Sequence, residues 1–218
     1  MRAMILAAGR GERMGELTAK TPKPLLKVQG RYLIEYSIDA LIKAGVTQIV
    51  INVSYLREQI IEAIGNGDRY GIRIVYSEEE ERLETGGGIV KALPWLGEEP
   101  FIVVSADVVT DYPLKNLWQV PLRQAHLVFV DNPYFNAQGD FCLNAENEVC
   151  VGIENRITFA NVGIYHPNLF KSWPASYCRL ADMWKMPIAN HQITGEHYKG
   201  LWYNIGNPKE LYAAEAIK

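Results

Sequence analysis

Glycines and basic residues crowd the segment that follows the first apolar run of the chain. Apolar residues 4–8 lead directly into Gly9 and Gly11. The same segment carries four cationic side chains: Arg10, Arg13, Lys20 and Lys23. Glycines after a buried strand let backbone N–H groups approach an anion, and neighbouring cations add a favourable charge interaction. The segment therefore predicts a polyphosphate site, with a glycine turn among solvated charges as the alternative.

Two familiar phosphate-binding loops do not fit this segment. The Gly-x-x-x-x-Gly-Lys-Ser/Thr loop is absent, and Met14 replaces the last glycine of the dinucleotide pattern Gly-x-Gly-x-x-Gly. The second predicted strand ends in Ile51, Asn52 and Val53, without the acidic residue that binds a dinucleotide ribose. A dehydrogenase is therefore disfavoured.

An acidic residue, Asp107, follows an apolar run at 101–105 that is typical of a buried strand. Enzymes often bind Mg²⁺ with one or two carboxylates plus substrate phosphates, so Asp107 is the candidate metal ligand. Asp111 competes for this role but belongs to the following loop. A helix cap or turn at Asp107 is the alternative interpretation.

Three consecutive glycines, Gly86, Gly87 and Gly88, follow Glu84 and Thr85. Glycines cost conformational entropy on folding, so a run of them needs a physical reason. Close approach of the backbone to a base or a sugar is one reason. A flexible loop at the start of a helix is the other.

The periodicity of the apolar residues predicts the elements that position these side chains. Strands are expected at 3–8, 48–53, 72–76, 101–105 and 126–130, and helices at 32–44, 58–64 and 85–93. Strands that alternate with helices indicate right-handed crossovers and a mostly parallel sheet, whose carboxyl edge binds ligands. The glycine-rich segment and Asp107 both follow predicted strands directly.

The pattern changes after about residue 131. Short alternating segments between 140 and 165, separated by Asn and Gly, indicate antiparallel strands. A helix at 180–189, a strand at 197–203 and a helix at 208–217 follow. We therefore predict one α/β domain over 1–218, in which the C-terminal third adds a small antiparallel β region.

Composition excludes several classes of partner. The chain has 218 residues, 22 basic and 25 acidic side chains, and a net charge of −3. A nucleic-acid partner is not expected, because such proteins usually carry a basic field. No apolar run approaches the roughly 20 residues that cross a bilayer, so no membrane partner is expected either.

The cysteines are Cys142, Cys150 and Cys178. An odd number without a Cys-x-x-Cys pair predicts neither a zinc site nor a disulfide framework. A reducing compartment is the simplest interpretation. Since the N-terminal apolar run is too short for a signal peptide, we expect a cytoplasmic protein.

Taken together, these segments resemble the sugar-1-phosphate nucleotidylyltransferases. The matching segments are Leu6-Ala7-Ala8-Gly9-x-Gly11-x-Arg13-Met14, Thr21-Pro22-Lys23-Pro24-Leu25, residues 33–36, 84–88, Asp107, and residues 139–141, 195–198 and 202–206. The resemblance spans nearly the whole chain. It implies a Rossmann-like, GT-A-like nucleotide-diphospho-sugar transferase fold, a mostly parallel mixed sheet flanked by helices, with a nucleotide-binding part at 1–131 and a sugar-binding part at 132–218.

The resemblance also implies a reaction and residue roles. The phosphate oxygen of a sugar 1-phosphate attacks the α-phosphorus of a nucleoside triphosphate, and pyrophosphate leaves. Arg13 would stabilise the pyrophosphate, and Lys23 would contact the α-phosphate and the incoming sugar phosphate. The other implied contacts are the loop at Ala8, Gly9 and Gly11 for the phosphates, Asp107 for Mg²⁺, Gly86, Gly87 and Asn52 for the nucleoside, and Glu84, Asp140 and Asn161 for the sugar.

One departure from the family pattern concerns the metal. The family usually has Trp-x-Asp-x-Gly near the C-terminus, and that Asp is a second metal ligand. Here the segment contains Trp202, Asn204 and Gly206, and Asn204 offers a carbonyl oxygen without a charge. The change predicts weaker Mg²⁺ binding through Asp107 and Asn204, and it leaves open a nucleotide- or sugar-binding regulatory protein with weak or no turnover.

The resemblance leaves several substrates open. The short bacterial branch that acts on N-acetylmuramate 1-phosphate and UTP in peptidoglycan recycling matches best, and mannose-1-phosphate guanylyltransferases are the alternative. Transfer to phosphocholine would need aromatic residues around a quaternary ammonium. The candidates for such a cage are Tyr134, Phe135, Tyr198 and Trp202. A monomer or a small homo-oligomer is expected.

Overall fold

The structure is a computed structural model that describes residues 1–216. The strands are β1 Arg2–Leu6, β2 Lys27–Val28, β3 Arg31–Tyr32, β4 Gln48–Val53, β5 Arg73–Glu78, β6 Phe101–Ser105, β7 Val108–Thr110, β8 Ala125–Val130, β9 Cys142–Leu143, β10 Val149–Cys150, β11 Thr158–Tyr165, β12 Ile193–His197 and β13 Trp202–Asn204. The α-helices are α1 Leu33–Lys43, α2 Arg57–Ile64, α3 Glu84–Leu96, α4 Leu180–Ala189 and α5 Pro208–Ala214.

Seven strands form the central sheet, in the order β12-β8-β11-β6-β1-β4-β5. The pairs β1–β4, β1–β6, β4–β5 and β8–β12 are parallel. Strand β11 is antiparallel to both of its neighbours, β6 and β8. The predicted mostly parallel mixed sheet is therefore confirmed, and the antiparallel pairs of the C-terminal third include the small ribbon β9–β10.

Two hydrophobic clusters lie on opposite faces of the sheet, because neighbouring residues of a strand point to opposite sides. On one face Ile5 of β1 belongs to the same buried cluster as Ile34 and Ile38 of α1. On the other face Met4 shares a cluster with Ile89 of α3. Helices therefore pack on both faces, and in open sheets of this kind ligands bind at the carboxyl edge of the strands.

A third cluster joins the two ends of the described chain. Met14, which lies in the 3₁₀ segment Glu12–Thr18, packs with Ile205 and Leu211 near the C-terminus. Helix α5 begins at Pro208, and the Asn207 side chain caps it by accepting from the backbone N–H of Glu210 at 3.1 Å. This packing places the segment after β13 beside the glycine-rich loop.

One element prediction was wrong at the C-terminal end, and the bounds of a second were only partly tested. The single strand expected at 197–203 is two strands, because β12 ends at His197 in the central sheet whereas β13 begins at Trp202 and pairs with β7. Helix α5 ends at Ala214. The predicted end of that helix at Ile217 lies outside the described residues.

The sequence predicted no disulfide framework, and the structure contains one cysteine pair that was not expected. Cys142 and Cys150 stand directly opposite each other in the β9–β10 ribbon and are joined as a disulfide, with their Cα atoms 5.0 Å apart. The odd cysteine is Cys178, which is free. Cysteine spacing alone did not reveal the pair, because the register of a two-residue ribbon brings the side chains together. Across residues 1–216, no helix has the length and apolar character that crossing a membrane requires.

Candidate active site

The candidate site lies at the carboxyl edge of the parallel strands. In the register of the sheet, Leu6 at the end of β1 stands beside Asn52 of β4 and Ser105 of β6. The glycine-rich loop leaves the sheet after Leu6, and Asp107 follows β6 by two residues. The two segments that the sequence singled out therefore emerge from adjacent strands, as the strand-end rule for open α/β sheets requires.

The two loop glycines have different surroundings. Gly11 has φ 67°, and a Cβ built on it would lie 3.0 Å from Lys23 Cβ and 3.1 Å from Thr18 Cγ2. The Thr18 hydroxyl donates to the Gly11 carbonyl at 3.0 Å. A Cβ on Gly9, by contrast, would have no neighbour within 4 Å. Gly11 therefore lets Lys23 approach the loop, whereas Gly9 exposes the backbone to open space.

Lys23 and Asp107 form an ion pair at the centre of the site. Their side chains are 11% and 23% exposed, so the pair is partly shielded from water yet open on one side. Lys23 begins the 3₁₀ turn Lys23–Leu25, in which Pro24 is buried. Proline restricts this backbone, which holds the lysine in place against the glycine loop.

Arg13 lies beside the C-terminal segment. A Cβ built on Gly206 would be 3.2 Å from Arg13 Nη2. The backbone N–H of Gly206 donates to Glu210 at 2.6 Å, and the N–H of Ile205 donates to the Asp107 carbonyl at 2.9 Å. The segment after β13 thus joins Arg13 and Asp107, which are remote from each other in sequence.

Asn204 lies next to Asp107 but makes no hydrogen bond with its side-chain oxygen. Strand β13 pairs Asn204 with Val108, the residue after Asp107. Asn204 Oδ1 is buried and has no partner. Asp107 and Asn204 offer the hard oxygen atoms that Mg²⁺ prefers, and such a site is commonly completed by phosphates and water. No group of three His, Cys, Asp or Glu side chains suited to a metal occurs among residues 1–216.

A cavity of about 420 Å³ adjoins this edge of the sheet. The three predicted sugar residues Glu84, Asp140 and Asn161 all line it, together with Leu6 and Asn204. Its walls come from both the predicted nucleotide part and the predicted sugar part of the chain, since Glu84 precedes residue 131 and Asp140 follows it.

Neighbouring residues hold the three predicted sugar residues in different ways. The Asp140 carboxylate accepts from the Phe159 N–H at 2.9 Å and from Asn136 Nδ2 at 3.1 Å. Asn161 has φ 57° and lies where the register of β11 shifts. Glu84 also has φ 57°, and Arg82 pairs with its carboxylate at 2.5 Å. The Asp140 carboxylate is therefore hydrogen-bonded to the bulge of β11, and Asn161 in that bulge lines the cavity.

Asn52, the predicted nucleoside contact, is buried and bonded to neighbouring protein groups. Its side chain is 3% exposed, and its Oδ1 accepts from the Ala7 N–H at 2.9 Å. Its Nδ2 donates to the Glu79 carboxylate at 2.7 Å, and burial raises the pKa of that carboxyl. Both polar groups of Asn52 are occupied, so the geometry makes it a positioning residue that anchors the start of the glycine loop.

The three glycines at the start of α3 pack against protein. A Cβ on Gly87 would lie 2.0 Å from the Ser176 carbonyl oxygen, and one on Gly86 would lie 2.8 Å from the Cys178 carbonyl oxygen. A Cβ on Gly88 would lie 2.6 Å from Glu79 Oε1. Close approach of the segment before α4 accounts for Gly86 and Gly87, and their predicted contact with the nucleoside stays a prediction.

The cavity is also lined by residues that the sequence did not identify, among them Tyr165, Arg179 and Trp184. Trp184 lies on the buried side of α4, and the helical spacing of apolar residues there indicates only packing. Of the four aromatic residues considered for a phosphocholine cage, Phe135 alone lines the cavity within the described chain. Asp111, the competitor of Asp107, accepts from the Tyr198 hydroxyl at 2.5 Å.

Comparisons with known proteins agree with this geometry. The family model for nucleotidyl transferases matches residues 2–132. The chain is 43% identical to the N-acetylmuramate alpha-1-phosphate uridylyltransferase of Neisseria meningitidis, with 100% of this chain and 98% of that protein covered. It is 29% identical to the mannose-1-phosphate guanyltransferase of Candida albicans, with 100% of this chain and 64% of that protein covered.

A solved structure shares the fold. HddC from Yersinia pseudotuberculosis complexed with GMP-PN superposes with a TM-score of 0.79 at 20% identity, covering 98% of this chain and 97% of that one. The similarity supports the fold alone, since the identity is low. The family match and the full-length similarity to the Neisseria protein go further, and they show that this chain belongs to the nucleotidyl transferase family and is a nucleotidyltransferase of the sugar-1-phosphate type.

Proposed function

We propose that the protein transfers a uridylyl group from UTP to N-acetylmuramate 1-phosphate and releases pyrophosphate. The observation that carries the choice of sugar is Arg179, the one basic residue that lines the cavity in the described chain. No salt bridge engages it within residues 1–216; the nearby Asp182 pairs with Lys185, and Arg179 acts on Asp182 only by lowering its pKa at longer range. N-acetylmuramate carries a carboxylate that neutral hexoses lack, and guanidinium groups bind carboxylates well. The Neisseria relative supports the same sugar and base.

The proposed mechanism relies on positioning and charge. The sugar phosphate oxygen attacks the α-phosphorus in line, and the bond to the pyrophosphate oxygen breaks. Lys23 stabilises negative charge on the α-phosphoryl oxygens, while Arg13 and the N–H groups around Ala8, Gly9 and Gly11 stabilise the leaving pyrophosphate. Asn52 keeps the loop in place through its bond to the Ala7 N–H.

Asp107 and Asn204 are the residues that would hold Mg²⁺. When bound, the metal neutralises phosphate charge and orients the triphosphate. The unpartnered buried Oδ1 of Asn204 fits a ligand role, because a buried oxygen without a partner costs free energy until something donates to it or binds it. The Lys23–Asp107 pair leaves the carboxylate charge already partly compensated before a metal arrives.

Replacing Asn204 by aspartate is expected to lower the half-saturating Mg²⁺ concentration by about tenfold, because charged ligands raise cation affinity. Titration of the rate and of the melting temperature with Mg²⁺ would measure the effect. Asn190→Asp, which adds the same charge at the exposed C-terminus of α4, is the matched control. Identical Mg²⁺ dependence in wild type and Asn204→Asp would place residue 204 outside the metal site.

The function itself is tested by pyrophosphate release with pairs of substrates. UTP, GTP, dTTP and CTP would each be combined with the 1-phosphates of N-acetylmuramate, mannose, glucose and N-acetylglucosamine, and with phosphocholine. We expect the largest kcat/KM for UTP with N-acetylmuramate 1-phosphate. GTP with mannose 1-phosphate as the best pair would replace the proposal by the guanylyltransferase alternative. Nucleotide binding without turnover for any pair would favour the regulatory alternative.

Arg179→Met separates the acidic sugar from the neutral ones. We expect kcat/KM for N-acetylmuramate 1-phosphate to fall by about tenfold to a hundredfold, as for a lost hydrogen bond to a charged group, while neutral sugars change little. Lys171→Met, which removes a cation paired with Glu98 at the surface, controls for net charge. An equal loss for every sugar would contradict the assignment of Arg179 to the carboxylate.

A further inference from the structure

Glu79 is the one buried carboxylate in the described chain, with 3% of the residue exposed. It follows β5 directly, whereas the other three glutamates of the run 78–81 are exposed. Burial raises the pKa of Glu79, and the Asn52 amide and the Leu83 backbone N–H offset part of that rise by favouring the charged form. Burying a carboxylate is unfavourable unless donors surround it, so its position calls for an explanation.

Two hydrogen bonds connect Glu79 to the glycine-rich loop across the ends of three neighbouring strands. Glu79, after β5, accepts at Oε1 from Asn52 Nδ2 of β4 at 2.7 Å. Asn52 Oδ1 accepts in turn from the backbone N–H of Ala7, the residue that follows β1, at 2.9 Å. Both bonds are buried. The chain continues from Ala7 into the N–H groups of Ala8 and Gly9, which the proposed mechanism assigns to phosphate.

The chemistry of the amide fixes which way round Asn52 is held. The Ala7 N–H can only donate, so the Asn52 atom that faces it must be the oxygen. The Asn52 NH2 group then faces Glu79, whose carboxylate oxygen accepts from it. Without an acceptor at residue 79 the NH2 group would be buried without a partner. The amide would then have nothing to keep its oxygen directed at Ala7.

Gly88 on α3 provides the space for this arrangement. A Cβ built on Gly88 would lie 2.6 Å from Glu79 Oε1 and 2.9 Å from Asn52 Nδ2, the two atoms of a single hydrogen bond. Any larger residue at position 88 would therefore push the two partners out of place. The third glycine of the run is thus explained by the Glu79–Asn52 bond.

We propose that Glu79 is a positioning residue for the triphosphate. By holding the Asn52 NH2 group it keeps Asn52 Oδ1 on the Ala7 N–H, and it thereby directs the following N–H groups of Ala8 and Gly9 towards phosphate. Glu79 acts on the loop through Asn52. The inference rests on the proposed function for the identity of the ligand, whereas the link from Glu79 to Ala7 can be tested without any ligand.

The first test measures hydrogen exchange at the Ala7 amide of the ligand-free protein by NMR. Glu79→Met removes the acceptor of the Asn52 NH2 group, and we expect Ala7 to exchange at least about tenfold faster, as for one lost local hydrogen bond. The amides of Met4 and Ile5 should keep their protection, because β1 is paired on both sides. Glu79→Gln retains an acceptor oxygen, so its Ala7 exchange should stay within about threefold of the wild-type rate.

The second test measures the binding of UTP and of pyrophosphate, each with Mg²⁺, by calorimetry. Glu79→Met is expected to raise both Kd values by about fivefold to tenfold, because N–H groups that are no longer directed at phosphate bind it less well. The double variant with Asn52→Leu should bind no worse than Asn52→Leu alone, because Glu79 acts through Asn52. Gly88→Ala displaces the same hydrogen bond from α3 and should weaken the binding of both ligands as well.

Glu80→Met is the matched control, since it removes an exposed glutamate next to Glu79. It should alter neither the exchange of Ala7 nor the affinity for UTP. A general folding defect in Glu79→Met would instead raise exchange by the same factor at Ala7 and throughout β1, and that result would overturn the inference.

Three further results would also overturn it: unchanged Ala7 exchange in Glu79→Met, faster exchange with unchanged affinity for UTP and pyrophosphate, or a Glu79→Gln variant as impaired as Glu79→Met. Failure of the proposed function would look different, because it would appear as the absence of UDP-sugar formation. A protein that binds UTP without turnover still allows both tests of Glu79.

Discussion

Lys23→Met is expected to lower kcat by about 10²–10³-fold, the cost of removing one preorganised charge that stabilises a transition state. Lys23 is the cation that packs against Gly11 and pairs with Asp107, so it lies where the glycine loop meets the candidate metal ligand. Because that charge matters most when the α-phosphoryl group carries its greatest charge, KM should change much less than kcat. Steady-state kinetics with UTP and N-acetylmuramate 1-phosphate would measure both.

Two further variants decide what Lys23 does. Lys27→Met removes an exposed lysine that lies over the Tyr32 ring, and it should leave kcat unchanged. Lys23→Arg keeps the charge but changes its geometry, and we expect it to recover part of the rate. If Lys23→Met reduced only thermal stability and left kcat intact, the ion pair with Asp107 would be structural and the proposed role in catalysis would be wrong.

Gly87→Ala is expected to destabilise the fold by roughly 2–4 kcal/mol, the range for a buried side chain that has no space. In a helix, replacing glycine by alanine ordinarily raises the free energy of unfolding by about 1 kcal/mol. A decrease in the Gly87→Ala variant would therefore be opposite to the effect of helix propensity. The cause is the Ser176 carbonyl, which would lie 2.0 Å from the new Cβ, too close unless one of the two backbones moves. Denaturant unfolding would measure the change.

Gly9→Ala is the matched substitution on the other glycine-rich segment. A Cβ there has no neighbour within 4 Å and φ is not positive, so stability should stay within about 0.5 kcal/mol. We expect UTP affinity to fall instead, because the methyl group would stand on backbone that the proposal assigns to phosphate. A stable Gly87→Ala variant with impaired nucleotide binding would restore the nucleoside contact that the glycine run first suggested.

The sequence was most informative where the signal is local. Strands β4 and β6 begin and end where the apolar runs predicted, at Gln48–Val53 and Phe101–Ser105, and α4 matches its predicted bounds, Leu180–Ala189. Runs of β-branched residues and helical spacing are properties of neighbouring residues, so they can be read directly. The apolar pattern was misleading at 197–203, where it predicted one strand. The chain leaves the central sheet there and joins a second sheet, and the local sequence does not show this change of partner.

In the candidate site, too, some residues could be proposed from the local sequence and others could not. Gly9, Lys23 and Asp107 could be proposed from the sequence because their residue types suit phosphate and metal chemistry and because Gly9 and Asp107 follow strands closely. Asn52 was assigned to the nucleotide on its position at a strand end. In the structure Asn52 Oδ1 accepts from the Ala7 N–H, which is 45 residues away in sequence. Nothing in either segment predicts that hydrogen bond.

The sequence by itself determined the fold class and the family and predicted the phosphate end of the site, since these depend on periodicity and on short motifs. The tertiary structure decided that the segment before α4 packs against Gly86 and Gly87, that Asp140 supports a bulge, and that the Tyr165 and Trp184 rings stack. Each of these depends on contacts between β11, α3 and α4, elements far apart in the chain. Such contacts depend on the packing of the whole domain, in which side-chain shape and hydrogen-bond partners must fit at the same time. The local sequence pattern therefore does not predict them.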